Sequence, residues 1–161
     1  ATTEIYTLSL HDALPISLGK EPAPLWQATE QDMKITIPEG ITGQEALTVT
    51  EELSAPHCGS GLVPVLATPA MIALMEKTCL RSVQPHLPEG YGTVGTLVHV
   101  THEHATAMGR RVSCTSKLVE IDRRRLVFEV EAQDEAGIIG RGRHERFIIE
   151  NTKFLARANG R

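Results

Sequence analysis

The chain has 161 residues, 41% of them hydrophobic, and a net charge of −4, which suits one domain with its own core. No run of about 18 apolar residues is present, so no membrane-spanning helix is predicted. Residues 1–32 carry the whole acidic excess, and the near-neutral remainder offers no broad basic surface for nucleic acid. The odd, widely spaced cysteines Cys58, Cys79 and Cys114 fit neither a disulfide framework nor a metal site. They favour a reducing, cytoplasmic environment.

The first 32 residues are predicted to lie outside the domain. Residues 1–16, ATTEIYTLSLHDALPI, read as the in-frame translation of a sequencing adapter. They are therefore not expected to be part of the fold, as with other sequence left over from cloning. Residues 17–32 are polar and show no apolar period, which is typical of disorder. Met33 is therefore the expected natural start, and residues 33–161 form the expected domain.

The first patterned segment is a predicted strand over residues 44–53. Ala46, Thr48 and Thr50 alternate there with Leu47 and Val49, as they do along a half-buried strand. The Pro- and Gly-rich residues 55–66 that follow are predicted to form a loop.

A long helix is predicted to begin at Thr68, with Thr68 as the N-cap and Pro69 at the first helical position. The segment PAMIALMEKTCLRSV has apolar residues at helical spacing, and the prolines and glycines of QPHLPEGYG end it. Because few residues of this helix are polar, a sheet must cover most of its surface.

Four more strands are predicted to close the chain, over residues 93–102, 111–121, 126–134 and 138–150. In the third of them apolar residues occupy alternate positions from Leu126 to Ala132, as in an antiparallel sheet with one buried face. One strand, one long apolar helix and four antiparallel strands describe an α+β hotdog fold, in which a sheet wraps around one central helix.

Glu76 is the most informative candidate residue. Its helical neighbours three and four positions away are all apolar: Ile72, Ala73, Cys79 and Leu80. A carboxylate among apolar groups is a candidate base or nucleophile. The alternative is that Glu76 points to solvent beside Lys77 at the edge of the apolar stripe, and the pattern leaves both interpretations open.

Three histidines, His99, His102 and His104, form a second cluster. In a strand His102 and His104 share one face, whereas His99 and Glu103 lie on the other. This separation disfavours a metal site. A single histidine acting as a general acid or hydrogen-bond donor is favoured instead, and the alternative is an ordinary histidine at a strand end.

Two further residues on the predicted strands are candidate site residues. Gly95 inside a strand indicates a bulge or the close approach of a ligand. Arg146 lies on the opposite strand face from Arg141 and Arg143 and is either a site residue or a surface cation. The run 123–125, three arginines, is more typical of a solvated turn than of a binding patch.

Three segments together resemble the fluoroacetyl-CoA thioesterase family of hotdog proteins: ATPAMIALMEKTCLRSVQPHLPEG, TVGTLVHVTHEHAT and RGRHERFIIENTKF. The likeness covers residues 33–157. It implies an enzyme that hydrolyses a short-chain acyl-CoA to the free acid and CoA, for which we expect no cofactor and no metal. It also implies that Thr68, Glu76 and His102 are catalytic, and that Gly95 and Arg146 help to bind the acyl-CoA substrate.

One departure from the family concerns the lid. The fluoroacetyl-specific member has a longer, phenylalanine-rich lid before its threonine, whereas this chain has the short segment HCGSGLVPVLAT, which contains no aromatic residue. The resemblance therefore implies a thioesterase without naming the acyl group.

A second point concerns how the site is assembled. Thr68 and Glu76 are eight residues apart, which is about 12 Å along a helix, so they cannot touch if both lie on it. Either Thr68 belongs to a loop folded back towards Glu76, or two chains share the site. Hotdog enzymes usually dimerise with the site at the interface, which favours a homodimer.

The predicted reaction is thioester hydrolysis. Backbone N–H groups or Thr68 polarise the carbonyl, Glu76 attacks it or activates water, and His102 helps a proton reach the leaving thiolate. Cys79 is expected in the core.

The alternative function is a non-catalytic hotdog protein that binds acyl-CoA as a sensor or sequestering module. A hotdog hydratase is disfavoured because no Asp-His pair marks the helix start.

Overall fold

The computed structural model describes residues 35–160, in which a five-stranded antiparallel sheet curls around one long helix. The predicted N-terminal segment and the Met33 start lie outside these residues. The strands are β1 (Thr42–Thr48), β2 (Tyr91–Val100), β3 (Arg111–Asp122), β4 (Arg125–Asp134) and β5 (Gly137–Glu150). The helices are α1 (Ala55–Cys58), α2 (Thr68–Val83) and α3 (Asn151–Asn159), with 3₁₀ turns at Glu51–Leu53 and Gln84–His86. The predicted α+β hotdog fold is confirmed.

The strand order β1-β3-β4-β5-β2 puts β1 and β2 at the two edges of the sheet. Helix α2 packs against strands β1 to β4, and its buried residues include Met71, Leu74 and Met75. Phe128 and Leu126 of β4 are buried in the same core. Burying a large apolar side chain contributes about 1.5–3 kcal/mol, so these buried residues stabilise the contact between helix and sheet. In the part of the chain described, no helix is long and apolar enough to cross a membrane.

The predicted strand over residues 44–53 was too long. β1 ends at Thr48, and the chain then turns through Glu51–Leu53. The predicted loop also contains α1, because the Ser54 hydroxyl accepts a hydrogen bond from the His57 N–H and Pro56 occupies the first turn. Helix α3 was not predicted, and the histidines His102 and His104 follow β2 instead of lying on it.

The prediction that Thr68 caps α2 was wrong. Ala67 occupies the N-cap position with extended backbone angles, and no side chain caps the helix. Thr68 is the first helical residue, and its hydroxyl contacts His102 instead. A tertiary hydrogen bond has replaced the local one that the sequence pattern favours.

Candidate active site

The start of α2 and the segment after β2 bring Thr68 and His102 together. Thr68 Oγ1 and His102 Nδ1 are 2.8 Å apart. Burial lowers the pKa of His102, and the nearby backbone of His104 opposes that shift. A neutral imidazole has one N–H donor and one acceptor nitrogen, so this ring can exchange a proton with the threonine hydroxyl or with a reacting group. His102 Nε2 is itself buried without a hydrogen-bond partner among residues 35–160.

Glu76 lies farther along α2, next to strand β5. Its Oε1 is 3.8 Å from His144 Nε2, and its side chain is 42% exposed. Lys77, the neighbour that the alternative interpretation invoked, pairs with Glu45 of β1 at 3.6 Å. Glu76 is therefore partly open to solvent while facing polar groups of the sheet, an arrangement that a base or nucleophile needs in order to meet substrate.

Arg146 of β5 is 6% exposed, so the alternative that it is a surface cation was wrong. Its Nε donates to Thr93 Oγ1 at 2.8 Å and its Nη2 to the Thr93 carbonyl at 2.9 Å. Its Nη1 donates to His144 Nε2 at 3.1 Å. Burial lowers the pKa of Arg146, whereas Glu76 and Cys79 act in the opposite direction. The guanidinium keeps its charge and forms a fixed positive group near Glu76.

Gly95 lies opposite Arg146 in the sheet, and the register of β2 shifts between Gly95 and Leu97, which agrees with the bulge that was one of the two expectations for this glycine. A Cβ atom on Gly95 would lie 2.5 Å from Glu76 Oε1 and 3.2 Å from His144 Cε1. Only glycine therefore lets the Glu76 carboxylate come this close to the strand.

The five predicted site residues thus form two groups in one chain. Thr68 and His102 make the first group, and Glu76, Gly95 and Arg146 make the second. Since Thr68 and Glu76 both lie on α2, about 12 Å of helix separates them.

His144, which was not among the predicted site residues, is buried between the members of the second group. The available signal was strand alternation, which places His144 on the same face as Arg146.

Other predicted features take structural roles. Cys79 is fully buried, and burial raises the pKa of its thiol to about 12, so its predicted place in the core is confirmed. Arg125 of the three-arginine run pairs with Glu145 and Glu120. Among the residues that the structure describes, no group of three or more His, Cys, Asp or Glu side chains is placed to hold a metal ion.

The curled sheet around one long helix defines the class of the protein, a hotdog fold, with its polar candidate residues gathered along that helix. Residues 49–152 match the model of the FlK family, the fluoroacetyl-CoA-specific thioesterases. The chain belongs to this family and is a thioester hydrolase.

Similar proteins include the fluoroacetyl-CoA thioesterase of Streptantibioticus cattleyicolor, which is 43% identical over 93 residues. These residues make up 58% of this chain and 67% of that protein. A solved structure of the fluoroacetyl-CoA thioesterase FlK has 32% identity and a TM-score of 0.75, covering 78% of this chain and 98% of the other. A Thermus thermophilus hypothetical protein described as a thioesterase superfamily member has 30% identity and a TM-score of 0.71, covering 79% and 93%.

Proposed function

We propose that this enzyme hydrolyses a short-chain acyl-CoA to the free acid and CoA. The observation that carries the proposal is the 2.8 Å contact between Thr68 Oγ1 and His102 Nδ1, made at a helix start where no side chain satisfies the first N–H groups. A protein that only binds acyl-CoA needs no such pair, and the relatives that this chain resembles carry the name of a thioesterase for an acyl-CoA.

The residues have separate tasks in the proposed mechanism. Thr68 and the free N–H groups at the start of α2 hold the thioester carbonyl oxygen as negative charge develops there. Glu76 either attacks the thioester carbon, forming an anhydride that water then cleaves, or removes a proton from the attacking water. His102 passes a proton to the sulfur of the leaving CoA. Arg146 and Gly95 shape the opposite wall of the site and support substrate binding.

The direct test is release of free thiol from a panel of short acyl-CoA thioesters. We expect kcat/KM above about 10⁴ M⁻¹s⁻¹ for at least one of them, the lower range of ordinary enzymes. A sensor or sequestering protein would bind acyl-CoA in stoichiometric amounts and release no thiol above the uncatalysed rate. That result would replace the proposed function with the binding alternative.

The same panel tests acyl selectivity. The segment before Thr68 contains no aromatic residue, and its Leu62 is 94% exposed. This segment therefore lacks the aromatic lid that could exclude water or acetyl groups from the site. We expect kcat/KM for fluoroacetyl-CoA to exceed that for acetyl-CoA by less than about 100-fold, which is the discrimination that a simple apolar pocket achieves. A preference of several orders of magnitude would contradict this argument.

We also propose that the enzyme works as a homodimer with each site shared by two chains. Helix α2 runs without interruption from Thr68 to Val83, so the alternative of a folded-back loop at Thr68 does not apply. His102 Nε2 is buried without a partner in the described chain, and β2 lies at a sheet edge with Leu97 and Val98 partly exposed. A Glu76 supplied by the second copy would complete the Thr68–His102 pair.

Mixing two inactive variants tests this shared site. If Thr68→Ala and Glu76→Gln chains are refolded together at equal amounts, half of the dimers contain one intact site. We therefore expect about one quarter of the wild-type rate to return. As the matched control, Thr68→Ala mixed with His102→Ala should recover nothing, because both defects lie in the same half-site. If both mixtures form dimers and neither recovers activity, the whole site lies in one chain.

A cytoplasmic location is part of the proposal. Cys58, Cys79 and Cys114 are all free thiols, which fits a reducing compartment. Alkylation of protein isolated from cells should label all three after denaturation, and a blocked cysteine would argue against this location.

A further inference from the structure

His144 lies on β5 with only 1% of its side chain exposed, and both of its ring nitrogens face polar atoms. Nδ1 is 2.8 Å from the Leu97 carbonyl oxygen at the irregular part of β2. Nε2 is 3.1 Å from Arg146 Nη1 and 3.8 Å from Glu76 Oε1. Because burying a polar group is unfavourable unless its hydrogen bonds are satisfied, these two contacts hold the ring in a fixed orientation.

These contacts determine which ring nitrogen carries the hydrogen. A carbonyl oxygen only accepts, so Nδ1–H donates to Leu97. A guanidinium only donates, so Nε2 accepts from Arg146. The neutral ring satisfies both neighbours, whereas an imidazolium would turn an N–H towards the guanidinium.

The surroundings of His144 support the neutral form. Burial is the main cause that lowers its pKa, and the Arg146 charge acts in the same direction. The Leu97 carbonyl, Glu76 and Glu145 oppose the shift, and the net direction is down.

The guanidinium of Arg146 is consequently held at all three nitrogens, two by Thr93 and one by His144. Glu76 makes its close contact with His144 and forms no direct ion pair with Arg146 in the part of the chain described. A free guanidinium beside a carboxylate tends to close into a two-bond pair, which occupies both carboxylate oxygens. Such a pair would take Glu76 out of the reaction.

We propose that His144 is a positioning residue for hydrolysis: its neutral ring, anchored on the Leu97 carbonyl, keeps Arg146 from pairing with Glu76. Arg146 then supplies positive charge near the carboxylate while the Glu76 oxygens stay available to water or substrate. This inference rests on the proposed thioesterase function and adds a residue to which the family resemblance gave no role.

Two substitutions of His144 test the roles of its two ring nitrogens separately. The side-chain amide of asparagine overlaps the Nδ1 position, so His144→Asn keeps the donor to Leu97 and loses the acceptor for Arg146. Glutamine reaches the Nε2 position, so His144→Gln keeps that acceptor. We expect kcat of His144→Asn to fall at least about 10-fold with KM changed less than about 3-fold, and His144→Gln to stay within about 3-fold of wild type.

A double-mutant cycle shows whether His144 acts through Arg146. In an Arg146→Gln background no cation remains to capture Glu76, so we expect His144→Asn to lower kcat by less than about 2-fold further. A merely structural histidine would instead give additive losses, with Asn and Gln equally harmful. Three outcomes, each measured on folded protein, would overturn the inference. They are additive losses in the double-mutant cycle, equal losses of kcat in His144→Asn and His144→Gln, and a wild-type kcat in His144→Asn.

Nitrogen NMR of the wild-type imidazole provides a readout that needs no turnover. We expect a neutral ring with its hydrogen on Nδ1 at about pH 7. An imidazolium, or a hydrogen on Nε2, would overturn the inference even in an active enzyme. Absence of thiol release by the wild type would instead remove the proposed function, and the NMR result would still decide whether the Leu97–His144–Arg146 network exists.

Discussion

Glu76→Gln is expected to lower turnover by at least about 100-fold. The substitution keeps the size and shape of the side chain and removes the charge that a base or nucleophile requires. Because Glu76 is 42% exposed, its neutralisation should change the free energy of unfolding by about 0.5 kcal/mol or less. Thiol release and thermal melting measured on the same preparation give both quantities.

Glu135→Gln is the matched control. Glu135 is an exposed carboxylate that pairs with Arg110 at the surface, and its neutralisation should leave turnover unchanged. If Glu76→Gln folds well and turns over at a near-normal rate, Glu76 does not belong to the site. The assignment would then depend on family membership alone.

Gly95→Ala is expected to have a comparable effect, with kcat/KM falling about 100-fold. The new Cβ would lie 2.5 Å from Glu76 Oε1, so the carboxylate must move. The most obstructed atom is at the end of a flexible side chain, and His144 Cε1, at 3.2 Å, needs to yield by only a few tenths of an ångström, so the strand itself need not shift. We therefore expect the melting temperature to fall by less than about 4 °C, which corresponds to roughly 1 kcal/mol in a small domain.

Gly92→Ala on the same strand is the control for this substitution. A Cβ there would lie 2.8 Å from Asn151 Oδ1, again the end of a side chain, but one that has no role in the proposed chemistry. Gly92→Ala should keep wild-type kcat/KM. Equal losses in the two variants would attribute the effect to strain in β2, and an active Gly95→Ala enzyme would show that the position of Glu76 is not critical.

The pattern of residues predicted most elements well. Strand alternation in β4 placed Phe128 and Leu126 in the core, and helical spacing with flanking prolines placed α2 between Thr68 and the QPH turn. A bulge at Gly95 was one of two predicted alternatives, and the register of β2 shifts there. These features depend on local backbone periods of two and 3.6 residues, which a sequence displays directly.

Errors arose where a tertiary partner competed with a local preference. Thr68 has the sequence context of an N-cap, yet its hydroxyl contacts His102, which is 34 residues away. Two further errors were local: β1 ends at Thr48 before the turn at Glu51–Leu53, and Ser54 and Pro56 start a helix inside what composition marks as a loop.

By itself, the sequence determined the order of strands and helix and, through its resemblance to a family, the candidate residues Thr68, Glu76 and His102. Only the tertiary structure decided that Arg146 is buried, that His144 lies beside it, and that the candidates divide into two groups within one chain. The physical reason is that burial and hydrogen bonding between distant segments depend on how the sheet curls around α2, and no local pattern encodes the distance between side chains on separate elements.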